Sequence, residues 1–432
     1  MQAAGPGRPP RGQPPRGQAP SGQAPSGHPP RVALLTIARE WGRIGCIGFG
    51  GPPAHIALLR ALCVEDRAWI SSSEFEDGVA TTNMLPGPAS TQLAIFCAWR
   101  LRGRLGALVG GACFIVPGLI VILGLSAVFL ASRPPLWIKG AALGADAAVP
   151  AVALSAAIGL APGSWRRVGA PRPGRLRWAG YLAAGGAAAA LIGPFLVLIL
   201  VGCGLLEMLV RTPFRRRARQ RGPGRRGTGR DAARRGALLP GLILLARRAA
   251  PAAATGGLLS VAWGAFKVGA LSYGGGFVIV PLMQHDAVYT YHWMTSAQFL
   301  SAVALGQVTP GPVVQTVAVV GYAAAGVGGG LLASLVAFTP SFAFVLFGGP
   351  RFDQLRRSAR VQAFLTGAGP AAIGAIAGAT IPLGLALSHL WQIAVLALAA
   401  VWLMALRRGV AAAIVGAGAL GVIAALAGAS LT

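Results

Sequence analysis

NMLPGPAST (Asn83–Thr91) and, 224 residues further on, QVTPGPVVQ (Gln307–Gln315) each place Pro-Gly-Pro inside apolar sequence. A Pro-Gly-Pro cannot continue an α-helix, because it removes backbone donors and frees carbonyls. In hydrocarbon those freed groups are costly, so such a break survives only where it faces protein or a water-filled cavity. A second pair of interruptions stands earlier in each half, FGGPPAH (Phe49–His55) and YGGGFVI (Tyr273–Ile279). Paired interruptions at corresponding positions of two halves are the best sequence pointer to the binding site of a membrane transporter.

Outward from these motifs, one offset keeps aligning the chain with itself for about a hundred residues. Phe49-Gly50-Gly51 falls on Tyr273-Gly274-Gly275, and Pro86-Gly87-Pro88 on Pro310-Gly311-Pro312. Trp69 falls on Trp293, Phe75 on Phe299, and Gly106, Phe114, Ala147 and Ala148 on Gly330, Phe338, Ala371 and Ala372. Arg43 is matched by Lys267 and Asn83 by Gln307. Two tripeptides and a tryptophan at a single offset mark an internal duplication.

Composition says what such a duplicated chain lives in. Of the 432 residues 54% are apolar and 11% charged, about half the charged fraction of a soluble domain. Yet 38 Lys and Arg face 11 Asp and Glu, a net charge of +27 that would suit a nucleic-acid binder. The location of the charge excludes that reading. Eleven arginines fall between Arg211 and Arg235, five more within 166–177, and Arg100, Arg102 and Arg104 form a third cluster. These segments lie between apolar blocks, where the positive-inside rule accounts for them and anionic lipid headgroups are the expected electrostatic partners. The five cysteines form no C-x-x-C pair, so neither a metal nor any other cofactor is expected.

The fold class expected is an all-α polytopic membrane protein. Leu105–Ala131 is free of charge and long enough to span a bilayer. Further spans are read at Ile44–Cys63, Gly78–Trp99, Trp137–Ala161, Gly257–Met283, Gln298–Ala323, Gly329–Phe347, Val361–Leu387, Trp391–Leu406 and Ala411–Leu431. Trp178–Val210 reads as two short crossings around Gly193-Pro194. The organisation is a Pro/Gly/Gln-rich tail (1–31), a first half (32–210), an Arg-rich linker (211–250) and a second half (251–432), with 12 or 13 crossings. The acidic loop 64–77 reads as external and the basic loop 100–104 as cytoplasmic. In half two, 324–328 has lost the charge and 348–360 has gained Arg351, Arg356, Arg357 and Arg360. That flipped bias is what an inverted-topology repeat requires. It also needs an odd crossing between the halves, and the short apolar piece Ala237–Ala246 is the one available.

The interruptions also suggest the sign of the substrate. Pro88, Pro312 and either Pro52 or Pro53 suit the first turns of new helices, whose unpaired N–H groups and dipole favour an anion. The candidate site residues are Arg43, Gly50, Gly51, Pro52, His55, Asn83, Pro86, Gly87, Pro88, Ser90, Thr91 and Gln92 in half one. In half two they are Lys267, Gly274, Gly275, Gln307, Thr309, Pro310, Gly311, Pro312, Gln315 and Thr316. Most are neutral hydrogen-bonding groups, a cage of donors for an oxyanion, with Arg43, Lys267 and His55 as cationic help. Bland alternatives stand beside these. A Ser or Thr in a membrane helix often bonds its own backbone, Arg43 and Lys267 could snorkel to an interface, and His55 could cap or pack. Asp146, inside an apolar span and matched by Pro370, is an intramembrane acid open to helix packing or proton relay. Glu207 reads as interfacial, and His285, Asp286 and His292 as a solvated loop. Trp69, Trp137, Tyr181, Trp293 and Trp391 read as interfacial anchors.

With GRIGCIGFGGPPAH (42–55) and LPGPASTQLA (85–94) answered by FKVGALSYGGGF (266–277) and TPGPVVQTVA (309–318), the chain resembles the chromate ion transporter family. The resemblance covers about residues 32–432. It implies a long, two-half member that exports chromate from the bacterial inner (plasma) membrane by exchange with protons or another coupled ion and so confers resistance, with a homodimer entertained as the assembly. Half two departs from half one in having Gly276 where Pro52 stands and no equivalent of His55. Sulfate is nearly isosteric with chromate, and transport of sulfate or another oxyanion, by carrier or channel, is the alternative. An enzyme is not expected: no H-E-x-x-H and no G-x-S-x-G with partners is present, nor a nucleotide-binding P-loop.

Overall fold

The computed structural model describes residues 31–83, 85, 87–131, 134–168, 172–192, 196–211, 257–272, 279–348 and 358–430. Among them are fourteen α-helices and no strand. Half one runs α1 (Leu34–Ile47), α2 (Pro52–Arg60, prolonged by the π turn Ala61–Asp66), α3 (Ser72–Thr82), α4 (Ala89–Phe129), α5 (Leu136–Val168), α6 (Arg172–Ala187) and α7 (Leu196–Arg211). Half two runs α8 (Leu258–Leu271), α9 (Val280–Gln284, prolonged by the π turn His285–Thr290), α10 (Ser296–Val308), α11 (Thr316–Gly348), α12 (Ala359–Leu385), α13 (Leu390–Ala400) and α14 (Val410–Leu426). The tail, Pro86, Gly274, Gly275 and the linker beyond Arg211, with its expected crossing at Ala237–Ala246, lie outside the described residues.

The duplication is visible residue by residue. α1 and α8, the two π turns, and the starts of α3 and α10 all stand 224 residues apart. The entry to α3 is capped by Ser71, which accepts the Glu74 N–H at 3.3 Å, and the entry to α10 by Thr295, which accepts the Gln298 N–H at 3.2 Å. Just before these caps the chain turns through left-handed Ala68 and His292.

The apolar segments around the glycine and proline breaks fold back on themselves. On α3, a methyl group added to Gly78 would meet the rings and side chains of Phe96 and Leu93 on α4, and Arg100 pairs with Glu74. Residues equally far before and after Pro-Gly-Pro are therefore neighbours, so α3 and the start of α4 form a hairpin with the tripeptide at its tip. The same test applies to the first interruption. Arg67 bonds Glu40 at 3.1 Å across the FGG break, and Lys267 reaches Asp286 at 2.5 Å across YGG. Arms of 11 to 14 residues rise about 16–21 Å, short of the roughly 30 Å of hydrocarbon. Each half thus carries two re-entrant hairpins; Ile44–Cys63 and Gly257–Met283, read from sequence as crossings, are hairpins of this kind.

α4 and α11 also reverse. Non-helical Arg102 and Gly103 interrupt α4, and Ala325 and Gly326 interrupt α11 with nearly the same dihedrals. Beyond each turn Gly106 lies on the Ala98 carbonyl, and Gly329 on that of Gly321. Loop 100–104 is therefore a two-residue turn between antiparallel arms, and the long arms 104–129 and 327–348 are the spanning ones. Because Arg100 pairs with Glu74, this turn and the 64–77 segment share one face, which corrects their reading as cytoplasmic and external. Those turns are 223 residues apart, as are Pro117 and Pro340. One residue has been lost after the second Pro-Gly-Pro, which corrects the pairing of Gly106 with Gly330 and of Phe114 with Phe338. Gly45 packs on the Phe114 carbonyl while Gly269 packs on that of Ala337, so Ala337 is the true counterpart of Phe114.

Four helices among the described residues are long and apolar enough to cross a bilayer: α4, α5, α11 (with its leading turn, Val313–Gly348) and α12. α5 packs on α13 and α14 of the other half, and α12 on α6 and α7. Glycines let these backbones approach. Gly144 rests on Ala417 and Gly421, and Gly374 on the Leu182 carbonyl. Most of 64–77 and 166–177, read as loops, is helical. Glu207, read as interfacial, is 2% exposed and accepts bonds from Arg177, Tyr181 and Arg211, with Tyr181 buried beside it. Asp286 is likewise buried, on the π turn, because Lys267 neutralises it.

Candidate functional site

The hairpin tips meet at the centre of the chain through a reciprocal pair of hydrogen bonds. The Gly87 N–H donates to the Ser272 carbonyl at 2.5 Å, and the Gly311 N–H to the Gly48 carbonyl at 3.0 Å. Gly87 and Gly311 are repeat mates, and so are Gly48 and Ser272. The contact between the halves therefore maps onto itself, as a two-fold relation demands. Each Pro-Gly-Pro tip rests against the FGG or YGG hairpin of the other half. Both Pro-Gly-Pro glycines have left-handed φ, +123° at Gly87 and +96° at Gly311, which aims their N–H groups across the interface.

Helix starts surround these tips. Gly51 and Pro52 open α2, Pro88 opens α4, and Pro312 opens the turn into α11. Gln92 N–H reaches back to Pro88 and Gln315 N–H to Pro312, so the N–H groups of residues 89–91 and 313–314 have no intrahelical acceptor. Gly51 approaches Val313, bringing the starts of α2 and α11 together. The positive ends of three helices converge where no tip residue carries a charge.

Neutral side chains fill the space between. His55 is fully buried; its Nε2 donates to the Gly48 carbonyl at 2.9 Å. A carbonyl can only accept, so Nδ1 is the free acceptor for the Ser90 hydroxyl, 3.2 Å away. The ring stands edge-on to Phe114, with centroids 5.0 Å apart. Gln315 donates to the Ile115 carbonyl at 2.6 Å and keeps Oε1 unpartnered beside Gly118 and Gly311. Gln92 holds the corresponding place beside Gly87, in the 223-residue register. Thr91 Oγ1, Ser272 Oγ, Gln307 Nε2 and Ser341 Oγ are also buried without partners among the described residues.

The remaining candidates divide. Thr309 and Thr316 spend their hydroxyls on the carbonyls of Leu305 and Val313. Asn83 is exposed at the end of α3. Arg43 is paired with Glu40 at 3.6 Å and its side chain is 60% exposed, while Lys267 is held by Asp286. Both cations stand more than a turn back from the tips. Ser272, Ser341 and Gly118 were not singled out by sequence reasoning. Ser341 carried one signal, its place after Pro340, the repeat mate of Pro117. The tips pack tightly, since a methyl group at Gly118 would overlap the Pro310 carbonyl and Gln315 Oε1. This is a closed arrangement.

The profile of the chromate transporter family matches residues 35–208 and 259–422, one match for each half. The chain belongs to that family. It is 30% identical over 356 residues to the probable chromate transport protein of Synechococcus elongatus, covering 82% of this chain and 86% of that protein. It is also 30% identical to the chromate transport protein of Cupriavidus metallidurans, over 82% and 83% of the two chains, and 28% identical to that of Pseudomonas aeruginosa, over 82% of each. No solved structure gives a significant match. Family membership and the apolar spanning helices make the chain a multi-pass membrane protein of transport.

Proposed function

We propose that this chain is a secondary transporter that exports chromate across the bacterial cytoplasmic membrane, coupled to protons or another ion, and thereby confers resistance. The observation that carries the reading is the meeting of the Pro-Gly-Pro tips at helix N-termini, lined by buried neutral groups with spare hydrogen-bonding capacity. A tetrahedral dianion can accept many hydrogen bonds, and such a cage offers backbone N–H, hydroxyl and amide donors without a fixed counter-charge. The relatives named as chromate transport proteins support chromate as the oxyanion. In this reading the chemistry of the site is that of binding and passage.

The substrate-binding groups in this proposal are the N–H groups following Pro88 and Pro312, together with Ser90, Thr91, Gln92, Gln307 and Gln315. Two-fold placement of the tips suits alternating access, since opposite movements of the two halves expose one shared site to either face. The test is uptake of labelled chromate into inside-out vesicles containing the protein, with and without excess sulfate. Chromate uptake above empty vesicles that resists sulfate supports the proposal. Sulfate uptake that chromate only competes with would transfer the proposal to sulfate, and no flux of either would end it.

A further inference from the structure

Among the described residues Asp146 is the one carboxylate at the middle of a spanning helix, and the tip site makes no use of it. It lies on α5, 2% exposed. Oδ2 accepts from the Ser301 hydroxyl on α10 at 2.9 Å, and Oδ1 is buried without a partner among the described residues. Beside it is a cavity of about 330 Å³ walled by α4, α5, α10 and α14, whose lining includes Phe129, Trp137, Leu305, Val308 and Ile414. The cavity runs from Trp137, exposed at the start of α5, to Asp146, nine residues and about 13 Å deeper.

Among the described residues no other titratable side chain lines this cavity. On the helices packed against α5, none stands within α10, α13 or α14. α4 carries Cys97, Arg100, Arg102, Arg104 and Cys113, α6 carries Arg172, Arg175, Arg177 and Tyr181, α12 carries Arg360, and α5 itself has Lys139, Arg166 and Arg167. None of them pairs with Asp146 among the described residues. An ionised carboxylate buried without a counter-charge is among the costliest groups a membrane protein can hold. Asp146 has no acidic twin either, because Gly369 occupies its place in the 223-residue register.

We propose that Asp146 is the proton-binding group that couples transport to a pH gradient, with Ser301 as its reporter to the tip. The inference rests on the transporter reading above. A proton arriving from the Trp137 end of the cavity forms an O–H bond at Oδ1, the oxygen without a partner among the described residues, while Ser301 continues to donate to Oδ2. Release of that proton leaves a charge held by a single hydroxyl, and the stabilising response is for donors or water to draw in around it. Ser301 sits on α10, whose last residue, Val308, lines the same cavity and is followed by Thr309 and the Pro310-Gly311-Pro312 tip. Movement of α10 toward or away from Asp146 thus moves the tip that closes on Gly48. Proton occupancy and tip closure are linked through one helix.

The test uses full-length protein in proteoliposomes with an internal pH dye. A chromate gradient should drive proton movement in the wild type, Asp146→Asn should abolish it and flatten the pH dependence of chromate flux, and Asp146→Glu should restore both. Proton movement that persists in Asp146→Asn would overturn the proposal. Infrared difference spectra of the same samples give a readout independent of substrate. A protonated carboxylic-acid band that titrates in the wild type, is absent from Asp146→Asn and returns in Asp146→Glu supports the site even if chromate is not the cargo. Its absence from wild-type protein would refute the site even if chromate is transported.

Discussion

Gly311→Ala is the sharpest perturbation of the tip. Gly311 has φ +96° and donates to Gly48 across the halves at 3.0 Å. Alanine keeps the N–H, but holding an L-residue in the left-handed region so that the bond to Gly48 is kept costs about 1–2 kcal/mol. The closed state should therefore lose up to about 2 kcal/mol relative to open ones, which is up to about 30-fold in its population. Chromate flux in proteoliposomes should fall by that order. Gly326→Ala is the matched control: φ is +61° there too, but the added methyl group meets nothing within 4 Å and the turn is remote from the tips. It should lose comparable stability with near-normal flux. If Gly311→Ala transports like the wild type, or Gly326→Ala loses as much flux, closure at the tips is not what limits transport.

Gly87→Ala should be worse than its repeat mate, because the added methyl group collides with Gln92 and lies 3.2 Å from Ser341 Oγ; parallel flux measurements rank the two. His55→Ala removes the bonds to Gly48 and Ser90 and leaves a void beside Phe114, so unfolding in detergent should shift by about 2–4 kcal/mol, and an unchanged midpoint would contradict the packing described. Lys267→Met should destabilise by about 2 kcal/mol by stranding Asp286, with most of the loss recovered in the double variant with Asp286→Asn, as a double-mutant cycle would measure. Arg43→Met should change stability by about 0.5 kcal/mol or less, its partner Glu40 being also bonded by Arg67.

The repeat, the membrane setting and the Pro-Gly-Pro breaks were legible because proline chemistry and duplication are properties of the chain itself. The hairpins were not. A glycine or proline break between apolar runs reads alike whether the chain bends, restarts or doubles back, and what decides is the contact of Gly78 with Phe96. The ion pair between Lys267 and Asp286 was hidden for the same reason, since the chain must first fold back before residues 19 positions apart can meet. The one-residue slip escaped notice because Gly106 finds a glycine at either register, Gly329 or Gly330, while Phe114 finds a phenylalanine only at the unslipped one, Phe338. Gln92 and Gln315 were both chosen as donors, yet only the slip reveals them as repeat mates. Asp146 was conspicuous as an acid in apolar sequence, whereas Ser301 is 155 residues away and becomes its partner only when α5 packs on α10.

The central claim is that the oxyanion binds where the Pro-Gly-Pro tips meet. Chromium scatters X-rays anomalously, so an anomalous difference map of the protein crystallised with chromate locates it directly. A peak within hydrogen-bonding reach of the N–H groups after Pro88 or Pro312 is the predicted result. A chromium peak at Arg43, Lys267 or the arginine clusters, with the tips empty, would contradict it.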